Sequence, residues 1–416
     1  MNPNRKKKAR TVDLSLQAKW LLLVNGLYVV ANALSGTFVN VYLWKVKNDL
    51  AMLGWFALYQ QAAMALTFWL CGKWAKEGNI MNCLRTGLAT AALFYLVVLV
   101  LGSTAVQWIP LLGIVQGLTS GFFWLAFNVL YFEITGPEDR DSFNGWAGLL
   151  GSAAGMAAPW ISGQLIFRLK DVNGYRLIFA LSLGVFVAAF FCSFLLKKRK
   201  AEGRYLWSFG ARIVRRKNGV WRRVLPALVA QGLREGVIAF MIPVLVYIST
   251  RNEMKLGNYS LVTYGVALFT FLAAGRYVRP HRRKWAMLIG GAGMTAVVLP
   301  FFKQVSYGTL LFYGVGTALF LPLFFIPVTS VVFDLIGREQ DGGANRVEYI
   351  VVREVAINAG RIIGTVVFIG VVSATTSSLA TNLLLFGINL STIAVWLLLI
   401  PWLGAKKGKL SGMKGS

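Results

Sequence analysis

The chain has 416 residues, 56% of them hydrophobic and 14% charged, with a mean hydropathy of +0.61. A soluble chain carries about a quarter of its residues as charges, so this composition excludes a water-soluble enzyme and points to the bilayer as solvent. The 43 Lys and Arg against 16 Asp and Glu would suit nucleic acid only on a shared surface; they alternate instead with long apolar stretches, so no nucleic-acid partner is expected.

Stretches of about 20 apolar residues are long enough to cross a hydrocarbon core as helices. Twelve such spans are predicted, at 18–43, 52–71, 84–102, 107–133, 143–167, 175–196, 223–249, 257–274, 284–301, 306–334, 347–371 and 379–402. The first follows Arg5-Lys-Lys-Lys8 but is too long for a signal peptide and lacks a small-residue cleavage site, so it reads as a retained helix. With the N-terminus inside, 32 basic residues fall on that side, 8 on the other and three within spans. This positive-inside bias accounts for the +27 and predicts a plasma-membrane protein with both termini cytoplasmic. The expected organisation is a basic N-terminus (1–17), a six-helix bundle (18–196), a basic linker (197–222), a second six-helix bundle (223–403) and a tail (404–416). The connection from Lys197 to Arg223 mixes eleven Lys or Arg with Tyr205, Leu206, Trp207, Phe209, Ile213, Val214 and Trp221. It reads either as an amphipathic segment on the anionic leaflet or as a plain connection obeying the charge rule.

Cys71, Cys83 and Cys192 lack metal-ligand spacing, and the single histidine, His281, sits in the basic run from Arg279 to Lys284. No metal site, His-based triad or cofactor is therefore expected. The absence of GxxxxGK[ST] argues against ATP hydrolysis.

The two halves resemble each other. Leu53-Gly54, Thr67-Phe68 and Gly72 recur 203 residues later as Leu256-Gly257, Thr270-Phe271 and Gly275. Gly113, Phe132, Gly136 and Asn144 recur after 201 residues as Gly314, Phe333, Gly337 and Asn345. Identities at a fixed offset in matching spans indicate two six-helix repeats.

Six plus six helices, a basic central loop and short loops after spans 2 and 8 resemble the major facilitator superfamily of transporters, over nearly the whole chain. The family's G-x-L-a-D-r-x-G-r-r motif survives in degraded form as Gly72-Lys-Trp-Ala-Lys-Glu-Gly78, with Lys76 at the aspartate position, and its repeat begins at Gly275 with Arg279 at that position. Glu133 and Arg140 are similar to the E-x6-R pair of sugar porters, and Asp334 with Arg338 is a looser echo. The resemblance implies a conformational latch formed by Gly72, Glu133, Arg140, Gly275, Asp334 and Arg338. In span 5, Ala154-x3-Ala158-Pro159-x2-Ser162-Gly163 is similar to the antiporter motif GxxxGPxxGG, which leans towards export. The fold it implies is an all-α integral-membrane protein of 12 transmembrane helices, as a monomer.

Charges inside spans cost about 2.5–3.5 kcal/mol each on insertion scales, so they need partners, water or both. Spans 1 to 6 hold none near mid-membrane, whereas span 7 carries Arg234 and Glu235 and span 11 carries Arg353, Glu354 and Arg361. At 100° per residue, Arg353, Glu354, Asn358 and Arg361 fall within about 140° on one side of span 11. The cluster's excess arginine favours an anionic substrate group, with Arg234, Arg353, Asn358 and Arg361 as binding residues and Glu235, then Glu354, as proton carriers. A permanent ion-pair network joining the two spans is the alternative. The first half offers neutral polar stripes instead, Asn25, Tyr28 and Asn32 in span 1, and Gln116, Trp124 and Asn128 in span 4. They suit sugar hydroxyls or the body of an amphiphile, or serve only as interhelical hydrogen bonds.

The predicted function is proton-coupled export or flipping of an amphipathic substrate with an anionic group, small or lipid-linked, by alternating access. Drug exporters and glycolipid flippases are the family precedents. Uptake of a small organic anion is the alternative. A lipid-linked transferase is more distant, because Glu138-Asp139-Arg140-Asp141 and Glu339-Gln340-Asp341 occupy equivalent repeat positions, which suits a hinge better than an active site. No enzymatic activity is expected.

Overall fold

The computed structural model describes residues 14–135, 140–169, 171–197, 203–216, 219–339 and 345–403, excepting the side chains of 140, 141, 171 and 172. Its regular elements are all helical, the arrangement in which a chain satisfies its own backbone hydrogen bonds within hydrocarbon. The first half comprises α1 (Leu16–Lys47), α2 (Leu50–Glu77), α3 (Ile80–Leu101), α4 (Ile109–Ile134), α5 (Arg140–Leu169) and α6 (Asp171–Cys192). A short α7 (Phe209–Arg215) lies in the linker. The second half comprises α8 (Trp221–Thr250), α9 (Glu253–Tyr277), α10 (Arg283–Ala296), α11 (Tyr307–Arg338), α12 (Arg346–Ala374) and α13 (Ser378–Leu399). These twelve long helices are the twelve expected spans.

Among the described residues nine segments are long and apolar enough to cross a membrane, one of them running from Ile80 to Ile134 across α3 and α4. The long helices outside these segments are α2 and α5, diluted by Gln60 and Gln61 in one and by Ser152, Ser162 and Gln164 in the other. Both helices pack against the opposite bundle, where polar and small side chains meet protein rather than lipid.

The repeat is visible in the packing. In the first half α1 packs on α5 and α6, α4 on α2 and α3, and α3 on α6. The second half reproduces each pair: α8 on α12 and α13, α11 on α9 and α10, and α10 on α13. Two reciprocal contacts, α2 with α12 and α5 with α9, join the bundles. The turns repeat as well. Asn48 and Arg251, 203 positions apart, both adopt left-handed backbone (φ 54° and 49°) and end α1 and α8. Asp49 and Asn252 then cap α2 and α9 by accepting from Met52 N–H and Lys255 N–H.

Residues at the repeat offsets also meet each other. Trp44 and Tyr247 lie 6.0 Å apart at one end of the bundle, and Phe132 and Phe333 lie 5.8 Å apart at the end carrying the linker, called here the basic end. A residue touches its own repeat copy only near the axis relating the halves, so these two pairs mark that axis. Outward faces carry Trp55, Leu66, Leu93, Val100, Phe191, Phe269 and Leu272, all exposed, as a lipid-facing surface requires.

The linker departs from one of its two expected forms. The apolar face of α7 does not lie free for a membrane surface: Phe209 and Ile213 are buried in the second-half core, with Phe209 against Tyr349. Tyr205 instead packs on α2, its ring filling the space a side chain would need at Gly72.

Candidate functional site

Close approach of α8 and α12 builds the central site. A Cβ at Gly360 would lie 1.9 Å from the Val229 carbonyl oxygen, and one at Gly232 would lie 2.0 Å from that of Ile357, so only glycine permits this packing. It sets Glu235 and Arg361 opposite each other. Arg361 Nη2 donates to Glu235 Oε2 at 2.7 Å, and Gln231 Nε2 donates to Glu235 Oε1 at 2.7 Å. The other arm of the guanidinium, Nη1, reaches Asn358 Oδ1 at 3.2 Å and the Met64 sulfur on α2 at 3.8 Å. The arginine and glutamate side chains keep 23% and 29% of their surface, so the pair is accessible on one side.

The five intramembrane charges do not form one network. Arg353 pairs with its neighbour Glu354, and its guanidinium lies 5.5 Å over the ring of Phe333. Arg234, about 100° around α8 from Glu235, turns into the second-half core, where its Nε donates to Asn389 Oδ1 on α13 at 2.9 Å. Asn358 is fully buried, donates to the Glu354 carbonyl at 2.9 Å and accepts from Arg361, so it positions the arginine rather than facing an open space.

The polar stripes of the first half divide in the same way. Tyr28 is buried, with its ring stacked 3.4 Å from Phe123 and edge-on to Trp124 and Phe186. Asn25 is buried beside it, its Oδ1 without a partner. Asn32 donates to the Tyr28 carbonyl at 3.1 Å. Asn32, Gln116, Trp124 and Asn128 are half-buried, and Gln116 Oε1 has no partner.

Sequence reasoning missed Gln61 and Met64 on α2. Gln61 donates to the Gly236 carbonyl at 3.2 Å and accepts from Thr365 at 3.0 Å, tying the first bundle to both helices that carry the charge pair. A Gln-Gln pair inside an otherwise apolar span was the available signal.

The bundles are clasped at both ends. At the basic end Lys76 Nζ on α2 meets Glu348 Oε1 on α12 at 2.5 Å, with the side chains only 4% and 1% exposed. Lys76 is the residue at the motif's aspartate position, and here it makes an ion pair between the bundles with a carboxylate on α12. Gly72 is occupied by Tyr205, whereas Gly275 has nothing within reach. Asp334 pairs with Arg283 at 2.7 Å, and Arg338 is exposed. Glu133 is half-buried on the last turn of α4, and the side chain of Arg140 lies outside the described residues. At the opposite end Lys45 on α1 and Tyr175 on α6 both donate to Glu253 Oε1 on α9 at 3.0 Å.

Along α5 and α9 contact is one-sided. Near the Lys45–Glu253 end Gly163 faces the Glu253 carbonyl and Gly257 faces Pro159 and Trp160, so the small residues of the antiporter-like motif serve this packing. Gly155 meets the Tyr264 ring, but nothing lies within 4 Å of a Cβ at Gly151, Gly148 or Gly145. The two helices therefore part towards the basic end, while α2 and α12 stay joined from Gly54 against Ile369 to Lys76 with Glu348.

Two pseudo-symmetric six-helix bundles around a central charge pair define a multi-pass membrane transporter. The Major Facilitator Superfamily profile matches residues 21–347, and the chain belongs to that family, a transporter and not an enzyme. It is 42% identical over 370 residues to the uncharacterized protein YqgE of Bacillus subtilis (strain 168), covering 88% of this chain and 85% of that one. A Geobacillus stearothermophilus uncharacterized protein in the sodM 3'region is 44% identical over 159 residues, 38% of this chain and 74% of that one. Among solved structures, a bacterial homologue of the iron transporter ferroportin, outward-facing with soaked iron, superposes with a TM-score of 0.65 at 17% identity, covering 94% of this chain and 99% of that one. Its inward-facing form gives 0.64 at 16% identity, with 94% and 100% covered.

Proposed function

We propose that the chain exports or flips an amphipathic substrate bearing an anionic group, from the cytoplasmic leaflet of the plasma membrane, with both termini cytoplasmic. The observation that carries this reading is the one-sided seam between α5 and α9. It widens at the basic end, the end that the positive-inside rule assigns to the cytoplasm, where nothing lies within 4 Å of a Cβ at Gly145, Gly148 or Gly151, and we read this gap as the entry for an acyl or aromatic body. Arg361, already accessible, is the receptor for the anionic group, since its planar fork matches a carboxylate or phosphate.

Glu235 supplies the proton link. Substrate and Glu235 compete for the same guanidinium, and a carboxylate deprived of its arginine in low dielectric takes up a proton. An inside-negative potential drives an anion outward by about 2.3 kcal/mol per charge per 100 mV. The same exchange supports the second reading more directly, proton-linked uptake of a small organic anion, because an anion and a proton that bind together travel together, whereas export draws on the potential only if Glu235 releases its proton to the cytoplasm before the loaded site turns outward. The ferroportin homologue is described with iron, but at 17% identity the likeness concerns fold. Among the described residues no three His, Cys, Asp or Glu side chains converge, and the central excess is of arginine, which favours an anion.

The test is reconstitution into vesicles with a short-chain fluorescent anionic lipid and, separately, radiolabelled dicarboxylates under an imposed pH gradient. Lipid crossing that is lost in Arg361→Ala, and uncoupled from pH in Glu235→Gln with binding retained, supports the flippase reading. Dicarboxylate accumulation with no lipid movement supports uptake. Stabilisation of the purified protein by lipophilic cations alone would sink the anion hypothesis.

A further inference from the structure

Three arginines follow one another along α12 from the basic end inwards. Arg346, Arg353 and Arg361 stand seven and eight residues apart, within about 80° on one side of the helix, at steps of about 10 and 12 Å. Arg361 holds Glu235 and Arg353 holds Glu354, whereas Arg346 pairs with no carboxylate among the described residues. Glu348, two positions on, is turned about 160° away and taken by Lys76. The guanidinium of Arg346 lies instead 5.1 Å over the ring of Phe132, which α4 brings from the other bundle. Phe132 also meets its repeat copy Phe333 at 5.8 Å, and Phe333 in turn lies under Arg353. Of these four groups only Phe132 belongs to the first bundle, so both its contacts cross between the bundles. Alternating access moves the bundles as bodies, so opening the basic end withdraws Phe132 with α4 and leaves Arg346 and Phe333 behind on the second bundle. The place that Phe132 leaves is bordered by the Arg346 guanidinium and by the face of the Phe333 ring. An anionic group fits the first and an apolar body the second.

We propose that this place is an entry subsite for an amphipathic anion: Arg346 takes the anionic group and Phe333 the apolar body next to it, before the group reaches Arg361 about 22 Å deeper along α12. Phe132 fills the subsite while the basic end is closed, so occupancy and closure exclude each other. A loaded subsite keeps that end open until the anionic group has moved inward. The inference rests on the reading that the substrate carries an anionic group, and adds where that group first binds and which side chain covers the place.

The experiment replaces the covering ring by a thiol. In the full-length Phe132→Cys chain, purified in detergent, alkylation of position 132 by the neutral reagent N-ethylmaleimide is followed by peptide mass spectrometry, so the native cysteines stay in place. Short-chain phosphatidylglycerol is the anionic probe and short-chain diacylglycerol the neutral control. Phosphatidylglycerol is expected to slow alkylation several-fold and saturably, and diacylglycerol to leave it unchanged. The protection is lost when Arg346→Gln is added and persists when Arg361→Gln is added. No protection, equal protection by the two lipids, or protection that survives Arg346→Gln overturns the subsite. Protection that vanishes only with Arg361→Gln overturns it as well but upholds the anionic reading, because the lipid then sits at the central pair. Protection that depends on Arg346, in a chain whose lipid crossing is indifferent to Arg361→Ala, sinks the transport reading and leaves the subsite standing. Should Phe132→Cys fail to fold, Phe333→Cys places the thiol on the other side of the same subsite, and protection absent there or indifferent to Arg346→Gln overturns the assignment.

Discussion

Removing Lys76 should open the basic end of the transporter. Its ammonium and the Glu348 carboxylate meet at 2.5 Å with 4% and 1% of their side chains exposed, so neither charge has water to fall back on. Glu348 Oε1 also accepts the Leu206 N–H at 3.2 Å, and Tyr205 N–H donates to Glu77 at 2.8 Å, so the linker is stapled to the same joint. Breaking a buried pair by deleting one partner costs about 3–5 kcal/mol, because the other charge is left uncompensated. The pair joins α2 of one bundle to α12 of the other, so the loss falls on the closed arrangement of that end. Lys76→Met should then favour opening by about two to three and a half orders of magnitude, at 1.36 kcal/mol per decade. Hydrogen–deuterium exchange of residues 70–77 and 346–352 reads this directly. Lys76→Met should exchange faster there than Glu348→Gln, because it strands a carboxylate with a single N–H donor, whereas Glu348→Gln leaves the ammonium with Asn345 Oδ1 at 3.4 Å and a neutral amide. The exchanged pair Lys76→Glu with Glu348→Lys should recover part of the protection. Unchanged exchange in both segments together with an unchanged melting temperature in Lys76→Met would refute the reasoning.

Three further outcomes follow from the packing. Gly360→Ala places a methyl 1.9 Å from a backbone oxygen that cannot yield, so thermal unfolding should show a loss of at least about 2 kcal/mol and Arg361 should lose its register with Glu235. Gly148→Ala meets nothing within 4 Å and should be neutral or stabilising by up to about 1 kcal/mol, whereas Gly148→Leu, with unchanged melting, should slow entry of a lipid-like substrate in the vesicle assay. Burial, reinforced by the nearby Glu348 charge, holds the Tyr205 phenol above the usual tyrosine value of about 10. The folded state therefore keeps a proton that the unfolded chain loses, so stability should fall as pH rises beyond about 10, and Tyr205→Phe should flatten that alkaline limb in a melting-temperature series.

The spans, the two repeats and the basic linker were legible in the sequence because each is a local or periodic property. Twenty apolar residues suffice to identify a membrane helix, and a fixed offset of 203 or 201 suffices to relate Gly54 to Gly257 and Phe132 to Phe333. The presence of charge in spans 7 and 11 was equally plain, since hydrocarbon makes each one conspicuous. The partners were not. Helical periodicity places Arg234 about 100° from Glu235 but does not say that α13 with Asn389 stands on one side and α12 with Arg361 on the other. Tyr28 has the chemistry of a binding residue, and only the seating of α4 and α6 against α1 turned it into core. Lys76 read only as a basic residue at the motif's aspartate position until α12 brought Glu348 across 272 positions of sequence to meet it. Backbone pattern fixes which face of a helix a side chain occupies; what that face meets depends on close packing between helices distant in the chain, set by glycines such as Gly232 and Gly360, and that was decided only in three dimensions.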